Sequence, residues 1–84
     1  MATYTLFCHP HHADTKRAAR LLRLRNYRVH LSDVKANGIS SYILKDMGIS
    51  ELPALCVISG YEYELYEGLD KIKQFVAEGK RSVI

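Results

Sequence analysis

The stretch Gly48-Ile49-Ser50-Glu51-Leu52-Pro53-Ala54-Leu55-Cys56-Val57-Ile58 decides how the chain is organised. Pro53 leads directly into the apolar run from Ala54 to Ile58. A nearly all-apolar run of this length suits a central strand covered on both faces. Ser59-Gly60 then turns the chain, and Tyr61 to Tyr66 alternates, with Tyr61, Tyr63 and Leu65 on one face. A turn this tight makes the two strands an antiparallel hairpin. Gly68 ends the second strand. Asp70 to Glu78 follows as a helix, with Leu69, Ile72, Phe75 and Val76 inward and Gly79 as its stop. Residues 79–84 are expected to form a loose tail.

Upstream, Thr3 to Cys8 has the β-branched and aromatic content of a strand. His9-Pro10-His11-His12-Ala13 is a loop, and Asp14 or Thr15 is the expected N-cap of the next helix. From Lys16 to Arg25, Ala18, Leu21 and Leu22 recur at helical spacing, with Ala19 beside them. Lys16, Arg17, Arg20 and Arg23 take the outer face. Asn26 breaks the helix, and Tyr27 to Leu31 alternates as a strand. Asp33 to Gly38 is a loop with Asn37-Gly38 as its turn signal. Ser40 is placed to cap a short helix carrying Tyr42, Ile43, Leu44 and Met47, closed by Gly48. The order is strand, helix, strand, helix, strand, strand, helix. The first two strands must be parallel, joined by a right-handed crossover. The expected fold class is α/β, one domain over residues 1–84, with a four-stranded mixed sheet flanked by three helices.

Composition narrows the function classes. The chain has 84 residues, a net charge of +3 and 48% hydrophobic residues. Its apolar share excludes a disordered chain. No apolar run approaches the ~20 residues of a membrane span. Met1-Ala2-Thr3-Tyr4 lacks the basic start of a signal peptide. The expected location is the cytoplasm. Cys8 and Cys56 are too few for a disulfide scaffold, so two free thiols are the default.

The element order, in so short a chain, resembles glutaredoxin, a family of the thioredoxin fold, from Thr3 to about Gly79. Three segments carry the resemblance. Gly48-Ile49-Ser50-Glu51-Leu52-Pro53-Ala54-Leu55 is similar to the stretch in which a cis-proline leads into the third strand. Gly68-Leu69-Asp70 resembles the family's Gly-x-Asp turn, which helps to hold the glutathione backbone. Arg17-Ala18-Ala19-Arg20-Leu21-Leu22 resembles the helix after the family's active site. The resemblance implies that Pro53 follows a cis bond. It also implies a glutathione-like groove formed by His9, His12, Leu52, Pro53, Leu69 and Asp70. His9 stands where the family often has a lysine, which weakens the charge contact with glutathione.

The family's Cys-x-x-Cys is missing. The dithiol chemistry needs a thiolate at the helix N-terminus and a second cysteine within one turn to resolve the mixed disulfide. In the better-fitting register, His12-Ala13-Asp14-Thr15 occupies the motif, with Pro10 on the family's preceding proline. Histidine cannot form a disulfide. In a second register, Cys8-His9-Pro10-His11 is a degenerate monothiol motif with Cys8 as catalytic nucleophile. That register leaves the following segment several residues too long.

Three functions follow as expectations. The first is a protein-binding module that has lost disulfide exchange and needs no cofactor. The second is a monothiol oxidoreductase using Cys8, with glutathione as cosubstrate and an iron–sulfur cluster between two subunits as a further option. The third is metal binding by the loop of Cys8, His9, His11 and His12, whose ligand types suit zinc or copper. Arg17, Arg20, Arg23, Arg25 and Arg28 make one end basic. That end suits an acidic protein partner; with no aromatic platform beside it, nucleic acid is not the expected partner. Tyr61, Tyr63 and Tyr66 lie on an expected edge strand, which leaves a homodimer open. Glu62 and Glu64 oppose edge aggregation. Cys56, inside the apolar strand, reads as core.

Overall fold

The computed structural model describes residues 2–39 and 41–79. The expected cap Ser40 and residues 80–84 of the expected tail lie outside the described residues. The elements are β1 (Thr3–Cys8), α1 (Ala13–Leu24), β2 (Val29–Asp33), α2 (Ser41–Asp46), β3 (Ala54–Ser59), β4 (Glu62–Glu67) and α3 (Leu69–Glu78). The strands form one mixed sheet in the order β2-β1-β3-β4. β1 and β2 are parallel, from Tyr4 opposite Val29 to Cys8 opposite Asp33. β3 is antiparallel to both β1 and β4. The chain is therefore an α/β protein, with a four-stranded mixed sheet and three helices among the described residues.

Alternation along the strands sorts their side chains between two cores. Leu6, Cys8 and Leu55 pack with Ala18, Ala19 and Leu22 of α1 and Ile72, Phe75 and Val76 of α3. Phe7 and Ala54 face the other way and meet Leu44 of α2, Val34, Ile49 and Leu65. Helices thus cover both faces. Leu6, Leu22, Leu55 and Ile72 are fully buried, and each contributes about 1.5–3 kcal/mol by leaving water. Phe75 is the hub of an aromatic cluster. Its ring centroid lies 4.7 Å from that of Tyr66 and 5.4 Å from that of Tyr27.

Several boundaries differ from those expected. α1 begins at Ala13, three residues before Lys16, and its N-cap is His12 rather than Asp14 or Thr15. The His12 imidazole accepts the Asp14 amide at 3.2 Å. Thr15 is only 2% exposed, and its hydroxyl makes no hydrogen bond among the described residues. β2 starts at Val29, not Tyr27. Asn26 takes a left-handed φ of 65°, the Tyr27 amide donates to the Leu22 carbonyl at 3.0 Å, and the Tyr27 ring enters the core. α3 begins one residue early, at Leu69.

Candidate functional site

The residues singled out by the sequence gather where β1 ends and β3 begins. After Cys8 the chain turns through His9 to His12, and the His12 amide donates to the His9 carbonyl at 3.0 Å. This turn delivers the chain to the N-terminus of α1. Across from it, the Leu52–Pro53 bond is cis and Pro53 is buried. The Gly68 amide donates to the Pro53 carbonyl at 2.8 Å, tying the start of α3 to the proline loop.

A second tie is made by Glu67. Its carboxylate accepts the amides of Ser50 and Glu51 and the Ser50 hydroxyl. These bonds favour the charged form: the Ser50 amide, as the strongest influence, holds the Glu67 carboxyl below its ordinary range; burial opposes it as the next influence, and the Glu51 amide and the Ser50 hydroxyl add to the lowering. Glu51 folds over the start of α3. A Cβ on Gly68, whose φ is 84°, would meet the Glu51 carboxylate at 2.9 Å. Glycine here answers the backbone angle, since the flexible Glu51 side chain could swing aside.

Two clefts flank this junction. One, of about 420 Å³, is bordered by His9, Leu44, Lys45, Ile49 and Leu52. The other, of about 360 Å³, is bordered by Asp14, Glu51, Glu67, Leu69, Asp70 and Lys71. His9 and Leu52 are thus brought together, as are Leu69 and Asp70, while His12 lines neither cleft. Glu51 borders both. The cleft at α3 carries carboxylates from Asp14, Glu51, Glu67 and Asp70 against the single ammonium of Lys71. Such a field repels an anion and favours a cation. Sequence reasoning missed Asp14, Glu51 and Glu67. Only the pairing of distant segments brings those carboxylates together, and no local pattern signals it.

Cys8, the last residue of β1, borders neither cleft. It is fully buried in the core under α1 and α3. Its Sγ donates to the Ser32 carbonyl at 3.7 Å, a weak hydrogen bond that satisfies the thiol as a thiol. Burial, and secondarily the charge of Asp33, pushes its pKa up. Burial does the same to Cys56. Cys56 pairs with Thr5 on β1, three residues from Cys8, so the two sulfurs point to opposite faces of the sheet. No disulfide can join them without moving the backbone. The loop histidines are exposed. Among the described residues no group of three or more His, Cys, Asp or Glu side chains is placed to hold a metal ion. No helix among them is long and apolar enough to cross a membrane.

Compared with protein-family models and with curated proteins, the sequence matches none of them.

Proposed function

We propose that this chain is a glutaredoxin-like protein of the thioredoxin fold that has lost dithiol exchange and serves as a protein-binding module. The observation that carries the proposal is the state of its thiols. His12, not a cysteine, caps α1, and both cysteines are buried. A nucleophilic cysteine needs exposure and a stabilised thiolate. Cys8 has neither, because burial and Asp33 both disfavour its ionised form. Four strands and three helices in this order support the fold reading. The carboxylates around Leu69 and Asp70 weigh against glutathione, whose own carboxylates would meet like charge. What remains is a scaffold with shaped surfaces.

The test is the rate of Cys8 alkylation by iodoacetamide against pH, with Cys8→Ala as control, beside an assay of mixed glutathione disulfide reduction. The expected result is slow alkylation with a midpoint above the ordinary thiol value of ~8.5 and no reductase activity. A midpoint well below that value, with reductase activity lost in Cys8→Ala, overturns the proposal in favour of the monothiol enzyme.

A further inference from the structure

On the far side of α1 from the acidic cleft lies a trough of about 400 Å³ between the helix and β2. Its floor is Thr15, Ala19 and Leu31, buried or half-buried. Its rim is Lys16, Arg20, Arg23 and Leu24, all exposed, with Leu24 at 69%. The spacing explains the rim. Positions 16, 20, 23 and 24 fall on one helix face, and the three cations span roughly 10 Å of axis at 1.5 Å per residue. Arg17, by contrast, is paired with Asp14 at 3.7 Å. Lys16, Arg20 and Arg23 make no ion pair among the described residues. Leu24 is an aliphatic side chain left in water beside Leu31, and apolar surface of this kind gains by being covered. At the floor, the Thr15 hydroxyl is buried and finds no hydrogen-bond partner among the described residues.

We infer that this trough is the docking site for an acidic linear segment of a partner protein, with an aliphatic side chain seated on Leu24 and Leu31 and carboxylates paired to Lys16, Arg20 and Arg23. The inference rests on the protein-binding reading and specifies its partner. Charge complementarity selects an acidic occupant. The aliphatic floor distinguishes a peptide from a nucleic acid, which would ask for stacking aromatic rings, and among the described residues none borders the trough. Guanidinium groups in a row suit carboxylates, which they bind in bidentate fashion.

The test is a titration of the isotopically labelled protein, followed by amide NMR shifts, with a short peptide of leucines flanked by glutamates. A lysine-for-glutamate version and a single-stranded oligonucleotide serve as comparisons. The expected result is saturable binding with shifts confined to residues 15–24 and 29–33. Binding weakens with salt, and by about tenfold or more in Arg20→Glu/Arg23→Glu. Arg20→Lys/Arg23→Lys, which keeps the charge but not the bidentate fork, binds more weakly than the native protein and more tightly than the double Glu variant, and controls for folding. The inference is overturned if the acidic peptide causes no shifts, if they centre on Leu52 and Pro53, or if the oligonucleotide binds equally well. It is also overturned if the protein alone shows concentration-dependent shifts on this face, for then the occupant is a second copy. A lack of binding here leaves the thiol experiment, and the wider reading with it, untouched.

Discussion

Glu67 shows how one side chain ties distant segments of the chain together. Its carboxylate gathers two amides and a hydroxyl from the loop before Pro53, and its pKa is lowered in consequence. A carboxyl with a depressed folded-state pKa contributes stability that is present above its unfolded value, ~4.3, and is lost as pH falls through the folded value. Glu67→Gln is therefore expected to cost about 1 kcal/mol at neutral pH, discounted for its partial exposure, and less in acid. Urea midpoints at about pH 7 and pH 3.5 test this: an equal loss at both pH values means that the charge is not the cause. Tyr66 shows the same logic with the opposite sign. Burial, then its hydrogen bond to Glu64 and the charges of Glu64 and Glu78, push its phenol up to about 12.

At the scale of the element, the start of α1 decides the redox question. Four amides at a helix N-terminus lack partners within the helix, and the His12 ring satisfies one of them. Serine and aspartate satisfy such amides better than most residues. His12→Ser is expected to stabilise the protein by up to about 1 kcal/mol, read from the urea midpoint; a lower midpoint means that the ring makes contacts beyond the cap. The same position is the one from which a helix lowers a thiol pKa. His12→Cys is expected to introduce a thiol whose alkylation midpoint falls below ~8.5, whereas Cys8 in the same protein stays slow. A raised midpoint for the new thiol would remove the first register.

For the whole molecule, the buried and hydrogen-bonded acids set the response to alkali. Cys8, Cys56 and Tyr66 all have raised pKa values. In each, the folded state holds its proton to higher pH than the unfolded chain does. The stability this represents is fully present below the unfolded values, ~8.5 for thiols and ~10 for phenol, and is lost as pH rises through the folded ones. Urea midpoints are expected to fall between about pH 8 and pH 11, and to fall less in Tyr66→Phe. An equal fall in both proteins would mean that Tyr66 is not a source. The distribution of charge is also a property of the whole. Carboxylates collect where α3 meets the Pro53 loop, and cations collect on the opposite flank of α1.

Periodicity and turn residues, which are local, determined the elements and most of their inward faces. Tyr4, Leu6 and Cys8 alternate whatever surrounds them, and Ile72, Phe75 and Val76 share a helix face by spacing alone. Boundaries were less legible, because the His12 cap and the inward turn of Tyr27 depend on neighbours that spacing does not specify. Only the tertiary structure decided the character of the sites. Whether Cys8 is a nucleophile or core depends on which helices lie over the end of β1, and α1 and α3 both cover it. Whether Glu67 caps a distant loop depends on the hairpin register that sets it opposite Ala54. The sequence carried the alternation that assigns a side chain to a face. The packing of helices on that face, a long-range outcome, settled which side chains water can reach.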